Sequence, residues 1–164
     1  MSITKMFSLR RKLIVMVIDK LLNIAKKTVG IIAGYLPEYK TDGSACFDFQ
    51  ASTTHTYTKD ELYVMGTGVK CEIPRGWCML VFARSSLGLK KLIIPNSVGV
   101  IDSDYRGEIK VPLIYFGNEE ITIEKGQRIA QGMLVKVTKA HFVKRDYLSE
   151  TMRGIGGFGS TGEK

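Results

Sequence analysis

The feature that most narrows the fold is a succession of short strand-like runs between Val29 and Val137. Val29 to Ala33, Phe47 to Ala51, Leu62 to Met65, Lys70 to Ile73 and Trp77 to Ala83 are apolar, with many β-branched and aromatic residues. Leu92 to Ile94, Ile109 to Phe116, Ile121 to Ile123 and Ile129 to Val137 continue the series. Gly34 and Pro37 break the chain after the first run, and Pro74-Arg75-Gly76 makes a turn before Trp77. Short runs at close spacing, punctuated in this way, predict an all-β sandwich or barrel rather than βαβ units. A chain of 164 residues suits one domain, and a hydrophobic content of 45% suits an ordinary core. Seventeen glycines predict tight turns and close backbone approaches.

Residues 9 to 27 carry the one helical pattern. Ile14, Val17, Ile18, Leu21 and Ala25 share a face, with Lys12, Asp19, Asn23 and Lys26 largely opposite. The unbroken apolar run, Leu13 to Ile18, is too short to span a bilayer. Arg10-Arg11 and the lack of acids before Asp19 leave a targeting role open, and a basic amphipathic helix can also lie on a membrane surface. The favoured reading is an appended helix packed on the body or on a neighbouring subunit.

The net charge of +8 sits mostly in this segment. Residues 1 to 40 hold eight Lys/Arg against two acids, and the remaining 124 residues hold 16 against 14. The excess therefore gives no argument that the body binds nucleic acid. Cys46, Cys71 and Cys78 are odd in number and lack CxxC spacing, with only His55 and His141 beside them. Reduced thiols in a cytoplasmic protein are expected rather than a zinc site.

Chemistry concentrates in Asn96 to Phe116, NSVGVIDSDYRGEIKVPLIYF. Asp102, Asp104, Tyr105 and Arg106 follow a small apolar strand, Ser97 to Ile101, and Gly107 closes the cluster before the β-branched run. A carboxylate at a strand end beside a Tyr and an Arg is an economical pocket edge. Asp104 reads as the turn residue, which leaves Asp102 as the acid placed for chemistry. No Ser/His or Cys/His dyad presents itself, so carboxylate-activated water is favoured over a covalent nucleophile.

Three further segments suit phosphate: Ala83-Arg84-Ser85-Ser86-Leu87-Gly88, Gly126 to Gln131, and Arg153 to Gly162. The last contains Gly154-x-Gly156-x-x-Gly159, a match to the dinucleotide fingerprint. That fingerprint needs a helix after it, and only five residues follow Gly159. The segment reads instead as an arm whose lone aromatic, Phe158, is suited to stack on a planar base.

Taken together these segments resemble the trimeric dUTP diphosphatase (dUTPase) family. Five family motifs occur in order: GSACFDFQA (Gly43 to Ala51), ARSSLG (Ala83 to Gly88), NSVGVIDSDYRGEI (Asn96 to Ile109), GQRIAQ (Gly126 to Gln131) and RGIGGFGSTG (Arg153 to Gly162). SDYRGEIK and the tail look most like phage and other viral members. The resemblance implies a distorted jelly-roll-like β-barrel, a homotrimer with active sites between subunits, and hydrolysis of dUTP to dUMP and pyrophosphate. It assigns Asp102 to the attacking water and Tyr105 to the deoxyribose. Asn96 and the Gly99-Val100-Ile101 backbone, with the backbone near Lys110, fall to a hairpin that reads uracil. Arg84, Ser85, Ser86 and Gln131 fall to phosphate, and Arg128 to support of the site or of a subunit contact. Phe158 is assigned to cover the base, with Arg153, Gly159, Ser160 and Thr161 nearer the triphosphate. Asp48 is assigned to the water shell of a Mg²⁺ held mainly by the substrate.

Residues 1 to 27 form an extension without counterpart in the family pattern, 28 to 152 the β domain and 153 to 164 the closing arm. Ala83 stands where many members have Pro, and Ser86 where many have Gly. Two other readings stay open: a dUTPase-like module that serves a regulatory protein partner, and a dCTP deaminase of the same fold. The second would need a catalytic Glu in the central segment.

Overall fold

The computed structural model describes residues 27–158 and Ser160, so the expected helix lies outside the described residues except for Lys27. Ten strands follow in order: β1 (Gly30–Ile32), β2 (Phe47–Gln50), β3 (His55–Tyr57), β4 (Leu62–Glu72) and β5 (Trp77–Ala83), then β6 (Leu92–Ile93), β7 (Val98–Ile101), β8 (Glu108–Tyr115), β9 (Ile121–Ile123) and β10 (Arg128–Lys136). One helical turn, α1 (Ser85–Gly88), follows β5. Every pairing is antiparallel. One sheet runs β1-β4-β8-β6, a second β2-β10-β5-β7, and β3-β9 forms a two-stranded ribbon.

The sheets face each other because their strands alternate. On β8, Ile109, Val111, Leu113 and Tyr115 are buried, while the residues between them face outward or lie only partly covered. On β4, Met65, Thr67, Val69 and Cys71 point inward to the same core. Phe49, Met79 and Ile129 close it from the second sheet. Pro112, which cannot donate to a ladder, lies where β8 has a partner on one side, because β6 ends at Ile93.

On β10, buried Gly132 lies opposite Phe47 across the ladder. A Cβ there would stand 2.6 Å from the Phe47 ring and 2.7 Å from the Phe49 ring, with no room to yield. Gly132→Ala should therefore destabilise the fold by about 1–3 kcal/mol, read as a lower urea midpoint at unchanged slope.

Two expectations need correction. Leu62 to Met65 and Lys70 to Ile73 are one strand, bent by a register shift between Gly66 and Lys70. The intervening Gly-Thr-Gly looks like a break in sequence, but its polar groups are satisfied. The Thr67 hydroxyl donates to the Ile109 carbonyl at 2.7 Å, and the Gly68 N–H donates to the Glu108 carboxylate at 2.7 Å.

The expected hairpin around Asp102 is also absent among the described residues. β7 pairs with β5 and β8 with β4, so residues 102–107 carry the chain from one sheet to the other. The alternating pattern of β8 seats it in one core face, and a two-stranded hairpin with β7 would take it out.

Candidate active site

The predicted site residues fall into two clusters. The first stands where β5 runs into α1. Arg84 has extended backbone, and Ser85 opens the helical turn. Asp48 on β2 is tied to both flanking arginines: one oxygen is 2.9 Å from Arg84 Nε and the other 2.8 Å from Arg128 Nη1. Arg84 is held a second time, donating through Nη1 to the Arg128 carbonyl at 3.2 Å. The Gln131 amide donates to the Ala83 carbonyl at 3.0 Å.

These residues line an open cavity of about 310 Å³ with Lys40, Ser44 and Cys46. Ser85 is at its wall, and Ser86 follows on the exposed side of the turn. Burial and the Asp48 carboxylate both push the Cys46 thiol up, so it stays protonated here. The lining is cationic, close to the backbone and rich in donors, which suits a polyanion.

The second cluster stands at the other end of β7. Asp102 is exposed and, with Ser103, Asp104 and Arg106, lines a cavity of about 1120 Å³ that includes Cys78 and Trp77. The Tyr105 N–H donates to the Asp102 carbonyl at 3.2 Å, so Ser103 and Asp104 are the centre of a turn. The Tyr105 ring folds back over Gly107, where any Cβ would overlap it, and its hydroxyl donates to the Glu108 carbonyl at 3.0 Å. Arg106 donates to the Ser103 and Tyr105 carbonyls, and is thus spent on holding the turn. Gly99 to Ile101 lie on β7 and Lys110 on β8. Asn96 precedes a left-handed Ser97 (φ 61°) and enters β7 from the end away from Asp102.

The strand register shows how far apart the clusters are. Met79 pairs with Ile101, so Asp102 stands opposite Cys78, one step on. Arg84, extended and just past the end of the same strand, lies six residues farther on, about 20 Å at the usual rise per residue. One chain does not bring Asp102 and Arg84 together.

The carboxyl-terminal stretch is separate again. Among the described residues no strand follows Lys136, and Phe142, Tyr147, Met152, Ile155 and Phe158 are almost wholly exposed. Arg153 turns onto its own segment, its Nε donating to the Gly156 carbonyl at 2.9 Å. Gly159 and Thr161 lie outside the described residues, and Ser160 is exposed. Sequence reasoning missed the two ties of Asp48 and the presence of Trp77, Cys78 and Lys139 beside Asp102. An Asp alternating with two core phenylalanines, Phe47-Asp48-Phe49, was the available signal for the first. Nothing in sequence marks the second.

An antiparallel two-sheet body with a cationic, donor-rich pocket at one end defines a β protein with a pocket suited to a polyanion. Comparison with known proteins narrows this class: the dUTPase family model matches residues 33–162, and the chain belongs to the dUTPase family. The deoxyuridine 5'-triphosphate nucleotidohydrolase of Chlamydia pneumoniae is 47% identical over 133 residues, covering 79% of this chain and 92% of that protein. Its counterpart in Rickettsia prowazekii is 43% identical over 132 residues, covering 79% and 89%. Among solved structures, a mutant dUTPase of Staphylococcus bacteriophage 80alpha with dUpNHpp superposes with a TM-score of 0.76 at 25% identity, covering 84% of this chain and 99% of that one. The expected jelly-roll-like β architecture is the one shared with these relatives.

Proposed function

We propose that this chain is a dUTP diphosphatase, hydrolysing dUTP to dUMP and pyrophosphate in a homotrimer whose sites each draw on more than one subunit. The observation that carries the reading is the pairing of family membership with an exposed Asp102 beside Tyr105, about 20 Å from the phosphate-type pocket of the same chain. A triphosphate is shorter than that gap, so both clusters meet one substrate only if they come from different chains.

In this reading Asp102 accepts a proton from water as its oxygen bonds to the α-phosphorus. The bond from that phosphorus to the bridging oxygen breaks, and pyrophosphate leaves. Tyr105 packs on the deoxyribose and excludes a 2′-hydroxyl. Backbone groups of Gly99 to Ile101 and near Lys110, with the Asn96 amide, read the uracil edge. Arg84, Ser85, Ser86 and Gln131 hold phosphate oxygens, and Arg153 with Phe158, Gly159, Ser160 and Thr161 closes over the ligand. Such an enzyme limits uracil entry into DNA and supplies dUMP. We place it in the cytoplasm, that of a host cell if the chain is viral, with residues 28–152 as the catalytic body and 1–27 as an addition to it.

Among the described residues no three His, Cys, Asp or Glu side chains converge as a metal site. Both Asp48 oxygens are engaged by guanidinium groups. This donor set fits a Mg²⁺ carried by phosphate oxygens and water. When bound, the ion offsets charge on the triphosphate and its leaving group.

Pyrophosphate release in the presence of Mg²⁺ tests the reading. Release is expected from dUTP, with dTTP, dCTP and UTP slower by about 10⁴-fold or more, because each leaves polar groups unpaired or clashes. Silence on dUTP overturns the proposal.

A further inference from the structure

We propose that Asp48 is a positioning residue: it sets the Arg84 guanidinium, and with it Arg128, for the triphosphate in the absence of any metal. The inference rests on the dUTP diphosphatase reading and deepens it. It gives Asp48 a different task from a place in the water shell of Mg²⁺.

The geometry is specific. Asp48 lies on β2 between Phe47 and Phe49, whose rings are anchored in the core, so its Cα position is fixed by packing. Its side chain is only 13% exposed and faces two guanidinium groups at 2.9 and 2.8 Å, one on each oxygen. β2 pairs with β10, and Gln131 stands opposite Asp48 in that ladder. The same sheet thus supplies the carboxylate, Arg128, Gln131 and, through β5, Arg84. Arg84 is gripped twice, by Asp48 and by the Arg128 carbonyl, and its side chain is 22% exposed. A guanidinium held at two points on a sheet has lost its rotamer freedom before the ligand arrives, so binding no longer costs that entropy. Arg128 is held once through its side chain and is 41% exposed, which makes it the looser of the pair.

Two effects of Asp48 oppose each other, and this makes the idea testable. As a negative charge beside a pocket for anions, Asp48 repels the triphosphate; removing it would, by charge alone, tighten binding. As a clamp, it orders the arginines; removing it would weaken binding. A carboxylate that acts only on the metal's water would leave the charge effect alone in metal-free solution, so its removal would not weaken binding.

The experiment is calorimetric titration of dUTP in EDTA with the wild-type protein, Asp48→Asn, Arg84→Gln and the double variant. A parallel titration of activity against Mg²⁺ concentration is run on the first two. Wild type binds dUTP, Asp48→Asn binds about tenfold more weakly, and Asp48→Asn adds less than about twofold in the Arg84→Gln background. The Mg²⁺ concentration for half-maximal activity is unchanged.

Unchanged or tighter metal-free binding by Asp48→Asn overturns the proposal, as do additive losses or a raised Mg²⁺ requirement. Failure of the wild-type protein to bind dUTP in EDTA while it releases pyrophosphate with Mg²⁺ also overturns the clamp, whereas no release from dUTP with Mg²⁺ overturns the functional reading on which it rests. Should Asp48→Asn fail to fold, Asp48→Glu keeps the charge and displaces the carboxylate by one methylene. It should show the same weakened metal-free binding at an unshifted Mg²⁺ requirement, and wild-type affinity in that variant refutes the clamp.

Discussion

Asp102→Asn should leave the fold and dUTP binding near those of the wild type while lowering kcat by about 10²- to 10⁴-fold. Asp102 is exposed at the end of β7 and takes no part in the core, so the amide can replace the carboxylate without a cavity or an orphaned partner. The turn that follows is held by backbone and by Arg106, not by the Asp102 side chain. What the amide lacks is the capacity to take a proton from water. A group needed only as charge develops in the transition state lowers kcat and kcat/KM together and leaves KM in place. Single-turnover measurement with saturating dUTP checks this, and near-normal turnover would remove Asp102 from its role.

The second large effect concerns the exposed carboxyl-terminal stretch. Removal of residues 153–164 should spare folding, because Ile155 and Phe158 are almost wholly exposed and bury nothing in their own chain. Binding of dUTP should weaken and turnover fall by about 10²-fold or more, through loss of the closing aromatic and of Arg153. Complementation then tests the split site directly. Asp102→Asn protein and the truncated protein should each be strongly impaired alone. When they are denatured together and refolded, mixed assemblies place an intact Asp102 and an intact arm at one site, and activity returns. No recovery would mean that one chain supplies both parts.

Much of this was legible before any coordinates. The strand runs at Trp77 to Ala83 and Ile121 to Ile123 agree residue for residue with β5 and β9. Alternation or continuous burial in those segments leaves one period that fits. The break expected at Gly66-Thr67-Gly68 was misread because glycine signals weak pairing, while the carbonyl of Ile109 and the carboxylate of Glu108, both on β8, supply the missing partners. β3 was missed for a related reason. His55-Thr56-Tyr57 has no apolar period; it is held by stacking of His55 on Tyr63, 3.7 Å between ring centroids, and by a 2.7 Å contact with Glu61. Both are tertiary.

The site shows the same division. The family resemblance, carried by five motifs in order, assigned roles to Asp102, Tyr105 and Arg84, whose segments taken singly also suit ordinary turns. Sequence did not reveal that β7 and β8 part company after Asp102, because the choice of sheet depends on which core face each strand fills. Nor did it reveal that Asp48 meets two arginines, Arg84 just past the end of β5 and Arg128 on β10. Pairing of that kind is a property of register, and register is settled by the whole sheet.

The interval along β5 between Cys78 and Arg84 has a consequence for the life of the protein in a cell. If the sites are shared between subunits as proposed, a newly made chain that has folded but not yet found its partners carries a water-activating acid with no phosphate to aim it at, and a phosphate pocket with no acid in reach. It cannot deplete the nucleotide pool while incomplete. Catalytic competence then arrives in one step, with assembly, and a cell that makes too little of the chain to assemble it gains no enzyme at all.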